Sequence, residues 1–333
     1  MTAPPWTTSP PKRIAIFRAL FLGDLLCAVP AIDAVKRRFP EAELTLIALP
    51  WAADLAGRIP AVDRFLPYPG HPGLPESPRA DADGEAFLVA VRDQRYDLAI
   101  QMHGSGGVTN GIVADFGAAT TLGYAIERSA QDQSAPSSAM TPRPTPSFRA
   151  EPGGGDIASF RAEPAAGVEE SLRATREPSS VRPITHDVAR TDDDRRHTRT
   201  LPWREDEHEI RRWLRLVGAL GAQTGGTGIG IAVREHERAR VVEALAALPE
   251  TGGPVVALHG GAKDPARRWP AARFAAIGDA LAEDQGARIV LTGGAGEQGL
   301  AEEIGGRMRR PSLNLAGATE LGEFFALIEA LDL

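Results

Sequence analysis

From Arg13 onward the chain alternates short apolar runs with stretches whose apolar positions recur at helical spacing. Ile14-Ala15-Ile16-Phe17, Leu44-Thr45-Leu46-Ile47 and Leu98-Ala99-Ile100 read as strands, and Thr121-Leu122-Gly123-Tyr124 reads as extended. Ala31 to Phe39, Glu85 to Gln94 and Gly111 to Gly117 read as helices between them. Strands alternating with helices predict an α/β fold, with a parallel sheet covered on both faces.

The pattern then breaks. Ser129 to Arg199 has almost no apolar periodicity and is rich in Ser, Pro, Arg, Asp and Glu. Its hexapeptide Ser147-Phe148-Arg149-Ala150-Glu151-Pro152 recurs as Ser159-Phe160-Arg161-Ala162-Glu163-Pro164. Such a composition buries too little apolar surface to offset ~1–2 kcal/mol of backbone entropy per residue. It is expected to be a disordered, low-complexity insert over 129–200, dispensable for folding. The Asp192-Asp193-Asp194 run within it reads as a solvated charge cluster, and no metal site is expected.

Order resumes near Leu201. Glu205 to Leu220 is amphipathic, with Ile210, Trp213, Leu214 and Val217 on one face. Gly225 to Gly230 reads as a hinge. A second alternating series follows, with strands at Val255–Leu258, Arg288–Leu291 and Leu313–Leu315. Its helices are Ala271–Glu283, Glu297–Met308 and Glu320–Leu331. The expected organisation is a first domain over 12–128 and about 201–225, the insert, and a second domain over 226–333. Ligands of open parallel sheets bind beyond the carboxyl ends of the strands, so a cleft between two such units is the expected site.

Composition removes whole classes of function. A net charge of −7 lacks the basic excess of a dedicated nucleic-acid binder. The lone Cys27 excludes an intramolecular disulfide or a thiolate metal cluster and suits a reducing cytoplasm. Met1 to Pro11 has no apolar h-region, and no run approaches the ~18 apolar residues of a membrane span. Any membrane association is therefore expected to be peripheral.

Three segments carry candidate chemistry. Leu22-Gly23-Asp24 follows the first strand and opens a helix, so Asp24 is either a helix cap or a general base for an acceptor hydroxyl. His259-Gly260-Gly261-Ala262 follows the first strand of the second series, with Lys263, Arg267, Arg268 and Trp269-Pro270 beyond it. Its glycines let amides approach an anion, and its guanidinium groups suit a diphosphate, although an exposed basic loop plugged by Trp269 fits equally. Thr292-Gly293-Gly294-Ala295-Gly296-Glu297 follows the next strand. There Glu297 serves either a ribose or a helix N-terminus. The spacing is not a dinucleotide fingerprint, which disfavours an NAD enzyme.

Together these segments resemble glycosyltransferase family 9, whose best-known members are the bacterial ADP-heptose:lipopolysaccharide heptosyltransferases. The matching blocks are Phe17 to Ala31 with Phe39-Pro40, Tyr96 to Gly104, His259-Gly260-Gly261 with Arg267 to Phe274, and Leu291 to Glu297 with Asn314 to Gly317. The resemblance implies a GT-B fold of two facing Rossmann-like domains and inverting, metal-independent transfer without a cofactor. The donor would be ADP-heptose or a related nucleotide sugar. The acceptor would be a lipopolysaccharide core or other glycan or lipid-linked molecule, handled in the cytoplasm or at the inner face of the membrane. Asp24 takes the place of the base, Arg267 that of a donor-phosphate contact and Glu297 that of the ribose-binding acid. His259, Gly260, Gly261, Arg268, Thr292 and Gly293 would complete the donor side, and Arg18, Gly23 and His103 the acceptor side. In the family the second domain continues past the helix ending at Leu331 into a further strand and donor loop. This sequence stops at Leu333, so a second domain incomplete at its C-terminus, with weak or absent activity, is expected. The rival readings are an inactive remnant and a GT-B-fold sugar-nucleotide epimerase.

Overall fold

A computed structural model describes residues 9–75, 83–126, 198–262 and 264–332. It divides into two compact units, the first holding the described residues up to Gly230 and the second those from Ile231. The boundary falls slightly beyond the 225/226 division expected from the glycine run.

The first unit is built on six parallel strands: β1 (Arg13–Phe17), β2 (Glu43–Ala48), β3 (Arg64–Pro67), β4 (Leu98–Gln101), β5 (Thr120–Ala125) and β6 (Thr198–Pro202). Their order is β3-β2-β1-β4-β5-β6. Ile14, Ala15, Ile16 and Phe17 are fully buried, as a central parallel strand covered on both faces requires. Helices α1 (Leu22–Arg38), α2 (Ala53–Ala56), α3 (Asp83–Asp93), α4 (Val108–Asp115) and α5 (Glu209–Gly218) complete the unit. A core cluster joins Phe17, Tyr68, Phe87, Ile112 and Phe116 from strand ends and helices. On the other side of the chain's path, α5 packs against α1.

Helix α1 begins nine residues before the Ala31 start expected from the sequence, and Pro30 lies inside it. Proline deprives the helix of one hydrogen bond. Burial of Leu25, Ala28, Val29, Ile32 and Val35 along the same helix outweighs that loss. The lengthening places Leu22, Gly23 and Asp24 in its first turn.

The second unit has three parallel strands in the order β7-β8-β9: β7 (Val255–His259), β8 (Arg288–Thr292) and β9 (Ser312–Asn314). Helices α6 (Glu235–Leu245), α7 (Ala271–Gln285), α8 (Gln298–Arg307) and α9 (Leu321–Ala330) cover them. Ile289, Val290 and Leu291 of the central strand are buried between two clusters, one containing Ala301 and Ile304, the other Val241 and Leu327. Helix α6 was not anticipated, because its only deeply buried apolar residue is Val241 and its apolar periodicity is weak.

The sequence boundary of the insert requires correction. Thr198, Arg199 and Thr200 are not part of an unstructured segment but open strand β6, which pairs with Thr121 to Gly123 of β5. Short polar strands at a sheet edge leave no apolar run to read. The remainder of the expected insert, 129–197, lies outside the described residues. Because β5 and β6 are parallel, their connection must run back along the sheet, which takes about a dozen residues or more. Replacing 129–196 with ~15 Gly/Ser residues is expected to leave the melting temperature within a few degrees of the parent. Extending the deletion through Pro202 is expected to lower it clearly, and thermal scans of the two variants provide the comparison.

Candidate functional site

In the first unit the strand order reverses between β1 and β4, and the carboxyl ends of these two strands carry the candidate residues. Arg18 follows β1 and is 0% exposed. Its backbone N–H donates to the Ile47 carbonyl at 2.9 Å, extending the β1–β2 pairing. Its guanidinium donates from Nε to the Asp24 carbonyl at 2.7 Å and from Nη1 to the Met102 carbonyl at 2.5 Å. Nη2 donates to Oε1 of Glu209 at 3.2 Å, and the guanidinium carbon lies 4.6 Å from the Trp213 ring centre. Burial pulls the Arg18 pKa down, while the nearby Glu209, Asp24 and Cys27 favour its charge. One buried cation thus ties the end of β1, the first turn of α1, the end of β4 and the start of α5.

Asp24 occupies the third position of α1, behind the N-cap Phe21. It is therefore not the cap, and Phe21 makes no side-chain capping bond. The Asp24 carboxylate is half-buried and forms no hydrogen bond among the described residues. Gly23 beside it is exposed, and a Cβ there would meet nothing within 4 Å. The arrangement leaves a carboxylate and open space at the strand-order reversal, where doubly wound sheets bind ligands.

His103 follows β4 and is 6% exposed, with its ring stacked on Phe17 at 5.3 Å between centroids. Its Nδ1 accepts the Ala19 backbone N–H at 3.2 Å, which places the ring proton on Nε2. Burial first, and the Arg18 charge second, bring its pKa down to about 4, so the ring is neutral near pH 7. The loop after it turns through Gly104, Gly106 and Gly107, all at positive φ. At Gly106 a Cβ would come within 2.3 Å of the Tyr124 carbonyl oxygen, so only glycine fits. Buried Gln101 braces this loop, donating to the His103 carbonyl at 2.9 Å and to the Thr109 hydroxyl.

In the second unit, the carboxyl ends of β7 and β8 bring His259 and Thr292 into register. Nδ1 of His259 lies 3.3 Å from the Thr292 hydroxyl, and its Nε2 lies 3.9 Å from Oε2 of Glu297. That carboxylate oxygen also accepts the Gly294 N–H at 2.8 Å. Glu297 lies so close over the β7–α7 loop that a Cβ on Gly261 would sit 1.8 Å from Oε1. Gly260 is likewise closed in by Ile304, at 2.7 Å from a would-be Cβ, and Gly293 by the Cβ of Glu297 at 3.0 Å. A side chain at Gly261 would displace the Glu297 carboxylate from this position.

Arg267 closes a short 3-10 turn capped by Asp264 and is exposed, with no ion pair among the described residues. Arg268 donates to the Ala262 carbonyl at 2.9 Å. Trp269 stays partly exposed, edge-on to Phe274 at 5.6 Å. The loop therefore presents a free guanidinium beside the His259–Glu297 pair's own strand, while Arg268 is spent on shaping the turn.

Residues 192–333 match the model of glycosyltransferase family 9 (heptosyltransferase). The matched stretch is less than half of the chain. No curated protein sequence matches significantly. Among solved structures, the family 9 glycosyl transferase of Veillonella parvula has a TM-score of 0.64 at 16% identity, over 97% of this chain and 74% of that one. The Escherichia coli ADP-heptose lps heptosyltransferase II gives 0.57 at 17%, over 96% and 77%. The E. coli heptosyltransferase WaaC with ADP gives 0.54 at 15%, over 95% and 78%. The two-unit α/β architecture with parallel sheets is that of these GT-B structures.

The residues singled out from sequence fall into two groups, each held within its own unit. Arg18, Gly23, Asp24 and His103 gather at the β1–β4 ends, and His259, Gly260, Gly261, Thr292, Gly293 and Glu297 at the β7–β8 ends. Arg18 is a correction in kind: being fully enclosed, it supports the Asp24 turn and offers nothing to a ligand. Glu209 and Trp213 were missed as site residues. Trp213 was legible as the apolar face of an amphipathic helix, but nothing in the sequence links Glu209 to Arg18 across 191 positions. No helix among the described residues is long and apolar enough to cross a membrane.

The His103 environment yields a pH signature. Its folded pKa of about 4 lies below the unfolded value of roughly 6.5, so protons bind the unfolded chain preferentially between these values. Stability from this residue is present above pH 6.5 and is lost as the pH falls toward 4. Between pH 7 and pH 5 the expected loss is about 2 kcal/mol. Urea unfolding of the parent and of His103→Gln at both pH values measures it, the variant being the less acid-sensitive.

Proposed function

We propose that this chain transfers a heptose-type sugar from an ADP-sugar to a lipopolysaccharide-core or other glycan acceptor, with inversion and without a metal. The observation that carries the reading is the Asp24 carboxylate, half-buried, unengaged and at the strand-order reversal of the first unit. Asp24 takes the proton of an acceptor hydroxyl as that oxygen attacks the anomeric carbon of the donor. The bond from that carbon to the diphosphate oxygen breaks on the opposite face, and ADP leaves with the electron pair. Base catalysis of this kind contributes typically ~10²–10⁴-fold.

The second unit supplies the donor side. Oε2 of Glu297 is held by the Gly294 N–H, which leaves Oε1 to accept ribose hydroxyls. The unpaired Arg267 suits the diphosphate, whose growing negative charge on departure a guanidinium stabilises. The family-model match over residues 192–333 and the similar solved structures of E. coli heptosyltransferase WaaC support a nucleotide-sugar donor, since one is described with ADP and another with ADP-2-deoxy-2-fluoro heptose. A hydrophilic donor and the absence of a spanning helix among the described residues suit work in the cytoplasm or at the membrane's inner face.

The base and the donor acid separate experimentally. Asp24→Asn is expected to leave ADP affinity unchanged in calorimetry and to reduce sugar transfer by ~10²-fold or more. Glu297→Gln is expected to weaken ADP binding by about tenfold, while leaving the Asp24 turn intact. Mass spectrometry of products with ADP-heptose and with other nucleotide sugars reads both. Transfer at the parental rate by Asp24→Asn removes Asp24 as the base, and release of free ADP without a transferred sugar favours epimerase-type chemistry.

A further inference from the structure

We infer that Glu209, at the start of α5, is a positioning residue for the Asp24 turn, acting through the buried guanidinium of Arg18. This rests on the reading of Asp24 as the base. Oε1 of Glu209 accepts from Nη2 of Arg18 at 3.2 Å and from Nε1 of Trp213 at 2.8 Å. Its other oxygen is engaged by Nη1 of Arg212. Arg212 in turn donates to the Arg204 and Glu205 carbonyls, and its own carbonyl accepts from the Tyr124 hydroxyl. The carboxylate is thus fixed to α5 and, through it, to β5 before it meets Arg18.

The need for an anion at this point is physical. Arg18 has no water-facing surface, and a guanidinium withdrawn from water is tolerated only when its donors are satisfied and its charge is offset. The Asp24 and Met102 carbonyls satisfy donors but carry no net charge. Glu209 supplies the charge, and it also stands first in its helix, where a negative group is favoured. Were it removed, Arg18 would have to seek water or another carboxylate, and the other carboxylate that acts on its charge is Asp24 itself. Glu209 therefore keeps Arg18 bonded to the Asp24 backbone and keeps the Asp24 carboxylate free.

The charged and titratable groups around the turn are Arg18 from the end of β1, Cys27 from α1 and Glu209 from α5, with His103 of the β4 loop facing Arg18. Removing the negative charge of Glu209 leaves Arg18 uncompensated beside the base. A carboxylate beside an uncompensated cation protonates at lower pH and is a weaker base.

Two variants of the full chain test the link. In Glu209→Ala, hydrogen exchange of a peptide covering residues 20–26 is expected to accelerate at least ~10-fold, with the C-terminal half of α1 unchanged. In the isosteric Glu209→Gln, which preserves packing, kcat is expected to fall ~10-fold with donor KM within about twofold. The acid limb of its pH–rate profile is expected to move down by ~0.5–1 unit, a shift that a simple packing defect does not cause. Parental exchange at 20–26 in Glu209→Ala, or a Glu209→Gln profile superimposable on the parent, overturns the inference. Asp24→Asn run alongside keeps the two proposals apart. Undiminished transfer there removes the base and leaves the exchange measurement to decide whether Glu209 holds the turn.

Discussion

The first unit is organised around one buried positive charge. A guanidinium with no exposed surface has to find its acceptors inside the protein, and Arg18 finds them at three places: the first turn of α1, the end of β4 and the start of α5. Each bond is ordinary in strength, yet together they fix the spacing between the ends of β1 and β4 and the entry angle of α1. A lysine would not reproduce this. Its compact ammonium lacks the planar fork that reaches two carbonyls and a carboxylate in different directions.

Around that charge, the two strand ends play unlike roles. The β1 end supplies an unengaged carboxylate with open space before it, whereas the β4 end supplies a rigid neutral wall. His103 is kept neutral by burial and by Arg18, its tautomer fixed by the Ala19 amide. Gln101 and the close-packed Gly106 hold the following loop in one shape. Preorganisation of this sort is what the proposed sugar transfer would need, since orientation accounts for much of the rate of such a reaction.

The second unit solves a different problem by the same means. Glu297 is pinned by the Gly294 amide and lies directly against Gly261. The acid, not the glycine-rich loop by itself, defines this end of the sheet, and His259 and Thr292 are brought to it by strand register. Arg267 stands apart as an unpaired cation.

The alternation of apolar runs and helical periods determined the α/β class, most strands of both sheets and the positions of the chemistry-bearing loops. Those features are local: a parallel core strand must be continuously apolar, and its loop must turn with glycine and cap a helix. The residue blocks around Asp24, His259 and Glu297 were legible for the same reason. What the sequence did not disclose was set by contacts distant along the chain. Strand β6 is held by its pairing with β5 and not by its own composition, and α1 runs through Pro30 because burial outweighs a lost hydrogen bond. The burial of Arg18 and its pairing with Glu209 depend on α5 returning to α1 after a long excursion of the chain. A charge pair of that kind leaves no periodic trace, because it satisfies an electrostatic demand that exists only once the fold has closed around it.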